Sequence, residues 1–375
     1  MKLSTAIIHN HNIKDPSGAV MSPLIMATTY ERNEDQLSLP QGYIYSRYDH
    51  PNKHALENKI RDMEGGADCI CFASGLAAAT AVFQSLKSGD HVVMADDTYF
   101  SMRTIINTLY AGFGLNYTLA DFTKLHEVEK AILPATKLIW MESPSNPSIK
   151  VTDIAAIVKI AKRHNCITVA DNTWATPLYT QPLELDVDIV LHSTTKYIGG
   201  HSDVLGGALV FKEYNERSEF IKKVQCYGGA TPSAFDCWLL CRSLTTFSAR
   251  MAIHSANAQK LAHYLEQEPK IEKVMYPGLP SHPQHDIAAR QMKGGYGGML
   301  SILVQGGKEK ALRLCALLKL FTHATSLGGV ESLIEHRKST ESPDSTTPDH
   351  LLRISVGIED IDDLIGDFKQ ALEKL

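Results

Sequence analysis

Between residues 50 and 225, short apolar runs alternate with stretches of helical period. The runs Cys69–Phe72, His91–Met94, Leu138–Trp140, Ile167–Ala170, Ile189–Leu191 and Ala208–Phe211 predict strands, with helices such as Gly75–Leu86 and Asp153–His164 between them. Strand–helix alternation of this kind predicts an α/β fold with a mostly parallel, doubly wound sheet. Past residue 240 the pattern changes. Long helical stretches, Cys241 to Gln267 and Glu309 to Leu320, accompany a few strands such as Met299–Val304 and Leu351–Ser355, which predicts a smaller α+β domain. The first fifty residues are turn-rich (Pro16, Gly18, Pro23, Pro40, Gly42) and read as an arm that must lie on something. The expected organisation is an arm over 1–50, a large domain over 51–240 and a C-terminal domain over 241–375. The polar segment from Glu335 to His350 reads as a loop.

A chain of 375 residues buries enough surface to need neither disulfides nor a structural metal. Hydrophobic residues make up 44% and charged residues 21%, which excludes wholesale disorder. The 37 Lys and Arg against 42 Asp and Glu give a net charge of −5 with scattered cations, so neither nucleic acid nor an anionic membrane is an expected partner. The opening stretch MKLSTAIIHNHNIKDPSGAV has no sustained apolar core and does not read as a signal peptide, and a cytoplasmic protein is expected. Seven cysteines, none in a CxxC pair, argue for reduced structural thiols. His282 and His285 lack acidic or Cys partners nearby and read as loop histidines, so no metal is expected.

Three strand ends carry the candidate chemistry. Phe72-Ala73-Ser74-Gly75-Leu76 runs from a strand into an Ala-rich helix start, where free backbone N–H groups can hold a phosphate. Alone, such a turn is more often a plain connection. Asp171 follows the strand ending at Ala170 and could equally be an N-cap. His192-Ser193-Thr194-Thr195-Lys196 ends another strand and leads to Gly199-Gly200, which puts a lysine among hydroxyls and glycines, unlike an ordinary surface lysine. Lys196 lies one strand–helix–strand step beyond Asp171, so parallel neighbours would present both side chains to one cleft. A lysine, an aspartate and a phosphate cradle are what pyridoxal phosphate requires: Schiff-base formation, a protonated pyridine nitrogen and an anchored phosphate. Ser193 and Thr195 hydroxyls, with the Gly75 and Leu76 amides, would hold that phosphate.

With these motifs the sequence resembles the pyridoxal-phosphate enzymes of cysteine and methionine metabolism, the trans-sulfuration family of cystathionine lyases and synthases. The resemblance runs nearly end to end. It includes YIYSRY at 43–48, FASGLAA at 72–78, SPSNP at 143–147, ADNTWATP at 170–177, HSTTKYIGGHSD at 192–203, YPGLPSHPQH at 276–285, SLGGVESL at 326–333 and LLRISVGIED at 351–360. It implies fold type I and a homotetramer built from two dimers. Lys196 would then be the Schiff-base lysine and proton shuttle, and Asp171 the pyridine partner. Tyr99 would stack on the ring and assist proton transfer, and Asn146 would contact the ring hydroxyl and the substrate carboxylate. Arg353 would clamp that carboxylate, with Ser326 beside it, while Tyr45 and Arg47 would reach a neighbouring subunit's cofactor phosphate.

The chain departs from the family's pattern in three places. YDHPN follows Arg47 where many members have NPT, and Phe100 and Ser101 replace two glycines. The most informative departure is Thr325, where members working at the γ-carbon of cystathionine usually carry a Glu facing the distal ammonium. Losing a contact of that kind costs roughly 1.5–3 kcal/mol. The expected activity is therefore a C–S lyase, β-elimination of cystathionine to homocysteine, pyruvate and ammonia, with γ-synthase or γ-lyase chemistry as the alternative. A nicotinamide enzyme is disfavoured because Gly112-Phe113-Gly114 is followed by Tyr117, which breaks the GxGxxG fingerprint. A catalytically silent relative is disfavoured by intact Lys196, Asp171, Tyr99 and Arg353.

Overall fold

In the computed structural model, which describes residues 1–341 and 345–375, the apolar runs pair into two sheets. The first holds β1 (Asp68–Phe72), β2 (His91–Ala95), β3 (Asn116–Ala120), β4 (Thr136–Glu142), β5 (Ile167–Asp171), β6 (Ile189–His192) and β7 (Gly207–Phe211). Their spatial order is β1-β7-β6-β5-β4-β2-β3. β7 runs against its neighbours β1 and β6, and the remaining pairs are parallel. Every residue of β2, β6 and β7 is buried. Helices cover both faces, so these strands are apolar runs rather than alternating ones. Helix Ile154–Arg163 shows how such a cover forms. Asp153 accepts from the Ala156 amide at 3.1 Å and caps it, while Ile154, Ile157, Val158 and Ala161 turn one stripe toward the sheet.

The second sheet holds β8 (Ile271–Met275), β9 (Met299–Val304), β10 (Thr322–His323), β11 (Leu333–His336) and β12 (Leu351–Ser355), ordered β10-β11-β12-β9-β8. It is antiparallel apart from the β10–β11 pair. Its core joins Leu300, Ile302 and Ile354 to Leu364 and Phe368 of helix Ile361–Glu373.

Three elements differ from the sequence reading. β3 is an unexpected element: it is an edge strand whose residues are mostly half-exposed, so NYTLA carries no apolar run. The helical stretch expected from Cys241 to Gln267 is two helices, Ala234–Leu244 and Phe247–Glu266. At the break the hydroxyls of Thr245 and Thr246 donate to the carbonyls of Arg242 and Ser243 and compete with helical bonding. The segment expected to be a loop from Glu335 to His350 begins inside β11, where Glu335 is buried and stands opposite Arg353 in register. Residues 342–344 of that segment lie outside the described residues.

The N-terminal arm is partly fastened to its own chain. Lys59 donates to the carbonyls of Ile7 and Asn10 at 2.9 and 2.6 Å, and the Trp238 indole donates to the Ser22 carbonyl at 2.9 Å. Further along, Val20, Met26 and Leu37 are exposed. Among the described residues no helix is long and apolar enough to cross a membrane.

The topology delivers the ends of β1, β2, β4, β5 and β6 to one edge of the first sheet, where β7 begins. A Cβ on Gly207, the first residue of β7, would sit 2.3 Å from the Ser74 carbonyl oxygen and 2.8 Å from the Gly75 Cα. These are backbone atoms that cannot rotate away. Gly207→Ala is therefore expected to lower the unfolding free energy by about 1–3 kcal/mol in a denaturant titration. An unaltered midpoint would mean that the Ser74–Gly75 turn shifts freely.

Candidate active site

A cavity of about 480 Å³ opens at that edge, between the ends of β4, β5 and β6 and the β12 strand of the second sheet. Lys196 projects into it from the turn after β6. Its Nζ donates to the Ser326 hydroxyl at 2.7 Å. Burial, then the nearby Arg353 charge, lower its ammonium from 10.5 to about 8. Ser326 holds the lysine from a backbone conformation at φ +107°, which non-glycine residues seldom adopt.

Asp171 ends β5 and stands in register with Glu142, the last residue of β4. Two buried carboxyl groups on adjacent strands cannot both ionise freely. Burial and the Asp171 charge push Glu142 well above the usual carboxylate range. Burial raises Asp171 as well, but hydrogen bonds from Thr173 and the charges of His192 and Lys196 oppose this. Asp171 is thus pushed up less strongly than Glu142. One Glu142 oxygen meanwhile accepts from the Tyr99 amide at 2.8 Å and the Thr98 hydroxyl at 3.2 Å, which fixes the Tyr99 turn.

On the opposite side, the helix Gly75–Gln84 starts at the cavity with Ser74 as its cap, its hydroxyl accepting from the Ala77 amide at 3.1 Å. The amides of Gly75 and Leu76 have no intrahelical acceptor at this end. A Cβ on Gly75 would lie 3.0 Å from that of Ser193, so glycine leaves the concavity open. The Ser193 amide donates to the Thr173 hydroxyl at 2.9 Å, and the Thr195 hydroxyl donates to the Gly206 carbonyl at 3.2 Å, which pins both turns.

The second sheet contributes Arg353, which is 4% exposed. It donates to the Asn146 side-chain oxygen and the Ser326 carbonyl, both at 3.1 Å, and to Glu335. Glu335 also accepts from Arg337 at 3.1 Å, from Thr325 at 2.9 Å and from Thr340 at 3.1 Å.

Of the residues assigned to cofactor or substrate from the sequence, all but Tyr45 and Arg47 line this one cavity. Arg47 instead stacks over Tyr48 with its guanidinium 4.8 Å from the ring centroid, and Tyr45 is exposed. A more open groove of about 630 Å³ beside Tyr179, Gln259 and Tyr296 contains none of these residues. Sequence reasoning missed Glu142, Trp174 and Arg337 on the cavity lining and Glu335 behind it. Glu142 and Trp174 had a signal, since Glu142 closes the buried strand β4 and Trp174 comes just past the Asp171 turn. Glu335 and Arg337 had none, because they sit in a segment too polar to read as a strand. His282 and His285 bond the carbonyls of Ile149 and Pro277 at 3.0 and 2.8 Å; His282 lies in a loop, buried, and His285 opens the helix His285–Gln291.

The donor set suits one cofactor. A lysine of lowered basicity, a buried aspartate one strand away and an open helix N-terminus accommodate an aldehyde, a pyridinium nitrogen and a phosphate, respectively. Fold and cavity together define a fold-type I pyridoxal-phosphate enzyme. Residues 4–373 match the model of the family described as Cys/Met metabolism PLP-dependent enzyme. The chain belongs to that family and is a pyridoxal-phosphate enzyme of trans-sulfuration. It is 43% identical to a cystathionine beta-lyase of Coxiella burnetii, covering 99% of this chain and 97% of the relative. It is 44% identical to a cystathionine gamma-synthase of Mycobacterium bovis, covering 98% and 96%. The crystal structure of metB from Corynebacterium glutamicum superposes with a TM-score of 0.96 at 42% identity, covering 100% of this chain and 98% of that one.

The lowered basicity of Lys196 has a measurable sign. Its folded-state value of about 8 lies below the ordinary 10.5. Between those pH values the unfolded chain binds more protons at this site, so the site's contribution to stability rises with pH. In cofactor-stripped protein, Lys196→Met is expected to be stabilised relative to wild type below pH 8. That advantage should shrink as pH rises toward 10.5, read by chemical denaturation of both proteins. A constant difference would mean that Lys196 is not perturbed.

Proposed function

We propose that this enzyme cleaves cystathionine by β-elimination: cystathionine and water give homocysteine, pyruvate and ammonia. The observation that carries the reading is Thr325 and its neighbour. Among the described residues, none that lines the cavity beside Thr325 is a carboxylate, and Glu335 behind them already accepts four hydrogen bonds on its two oxygens. A carboxylate offers about four acceptor positions. None remains to orient the distal ammonium for attack at the γ-carbon.

Pyridoxal phosphate, when bound, supplies the electron sink that acidifies the substrate Cα–H bond. Lys196 would hold the cofactor, Asp171 would keep its ring nitrogen protonated, and Gly75, Leu76, Ser193 and Thr195 would hold its phosphate. Tyr99 would stack on the ring. Arg353, steadied by Asn146, would clamp the substrate α-carboxylate and present Cα toward Lys196. Lys196 Nζ, once free, would take the Cα proton; its lowered basicity keeps a useful neutral fraction near neutral pH. The departing thiolate would take a proton from the Tyr99 hydroxyl. Tyr45 and Arg47 would serve the cofactor phosphate of a second copy of the chain. This is supported by their position outside the cavity of their own chain and by the exposed apolar arm residues around them.

The γ reading has its own support: a relative named cystathionine gamma-synthase is as similar as one named cystathionine beta-lyase. Lys196 could also remove a Cβ proton. The discriminating experiment is identification of the keto acid released from cystathionine by the holoenzyme. Pyruvate is expected, and 2-oxobutyrate would move γ chemistry to first place. Thr325→Glu is expected to shift product toward 2-oxobutyrate by about tenfold or more, and no shift would remove Thr325 as the discriminator. Lys196→Ala should lose at least about a thousandfold in turnover; retention of full turnover would sink the mechanism.

A further inference from the structure

The cavity carries a second buried arginine to which the reaction above gives no role. Arg337 comes directly after β11, is 2% exposed and lines the cavity together with Arg353. Its Nη1 donates to Glu335 at 3.1 Å, and its Nε and Nη2 donate to one oxygen of Glu341 at 3.2 and 3.0 Å. A guanidinium has five N–H bonds. Two of those on Arg337 therefore remain uncommitted among the described residues. Arg353 is in the same condition, with three of its N–H bonds engaged by Asn146, Ser326 and Glu335.

The two guanidinium groups meet at a single oxygen, Glu335 Oε2, so they stand side by side on the cavity wall. Glu335 has no acceptor position left for the free N–H bonds. Glu341 lies outside the cavity lining and balances the Arg337 charge from behind. The thermodynamic demand is plain: donors held away from water are costly until an acceptor completes them, and a carboxylate completes an arginine best.

We propose that Arg337 is a second carboxylate-binding subsite, receiving a carboxylate carried beyond the substrate's sulfur while Arg353 holds the α-carboxylate. This rests on the assignment of Arg353 made above. It sets the substrate class: sulfur amino acids with a second carboxylate on the leaving-group side, in preference to neutral S-alkyl cysteines.

The test compares S-(2-carboxyethyl)-cysteine with S-propyl-cysteine, which are similar in length and release pyruvate by the same step. The wild-type holoenzyme is expected to favour the carboxyethyl compound in kcat/KM. Arg337→Met is expected to reduce that preference by about ten- to hundredfold, mainly through KM. Because this variant leaves Glu335 and Glu341 short of a cation, R337M/E341Q is run beside it to keep the charge balance. The same loss of preference is expected there, with Arg337→Lys intermediate. A preference that survives in both variants overturns the proposal, as does an equal fall on both substrates. If the wild type releases pyruvate from neither compound, the β-elimination reading is decided by the keto acid from cystathionine, separately from the subsite. Calorimetric titration of the holoenzyme and variants with the same two compounds then reads the subsite, with the same ratio expected and the same absence of change overturning it.

Discussion

Removing charge from water at the edge of a sheet is the constraint on which this molecule turns. Each ion in the cleft is costly alone and tolerable only with a partner in place. Lys196 has the Ser326 hydroxyl, Asp171 the Thr173 amide, Glu142 the Tyr99 amide, and Arg353 has Glu335 and Asn146. These partners come from both sheets. The first sheet supplies the lysine and the two carboxyl groups, and the second supplies the arginines and the serine. The cleft is therefore assembled only when the two halves pack, and that packing is what lets each charge stay buried.

Much of this was legible because the first sheet is covered on both faces. Strands buried that way must be apolar, and their polar ends stand out. Asp171 and Lys196 were visible as polar residues stranded at the ends of such runs, one strand step apart. The edge strand β3 lacked that contrast, and the hydroxyl-driven break at Thr245 and Thr246 left no mark in the hydrophobic period. Glu142 was within reach of the same logic, as the polar residue that closes the apolar run Leu138–Met141. Glu335 and Arg337 were not. Their burial is set by cross-strand and loop pairing among charges distant in sequence, and charge in a polar segment looks like exposed charge until its partners are known.

Thr325 shows how a local departure is altered by its surroundings. Read alone, it is a place where a carboxylate has been lost. In the fold its hydroxyl donates to Glu335, so negative charge still stands at that wall. That charge differs in availability: four donors hold it, and it works for the protein's own arginines rather than for a ligand. What matters for chemistry in such a cavity is the number of unengaged donors and acceptors, more than the count of charged residues.

The contact between Gly207 and the Ser74–Gly75 turn bears on how this chain can diverge. Strand and turn touch backbone to backbone, with no side chain between them to be exchanged. A neighbour made of side chains can drift by paired replacement, one growing as the other shrinks. Here there is nothing to shrink. Any other amino acid there is costly unless the main chain of the cradle itself shifts, so the turn and the strand beneath it are constrained to change together.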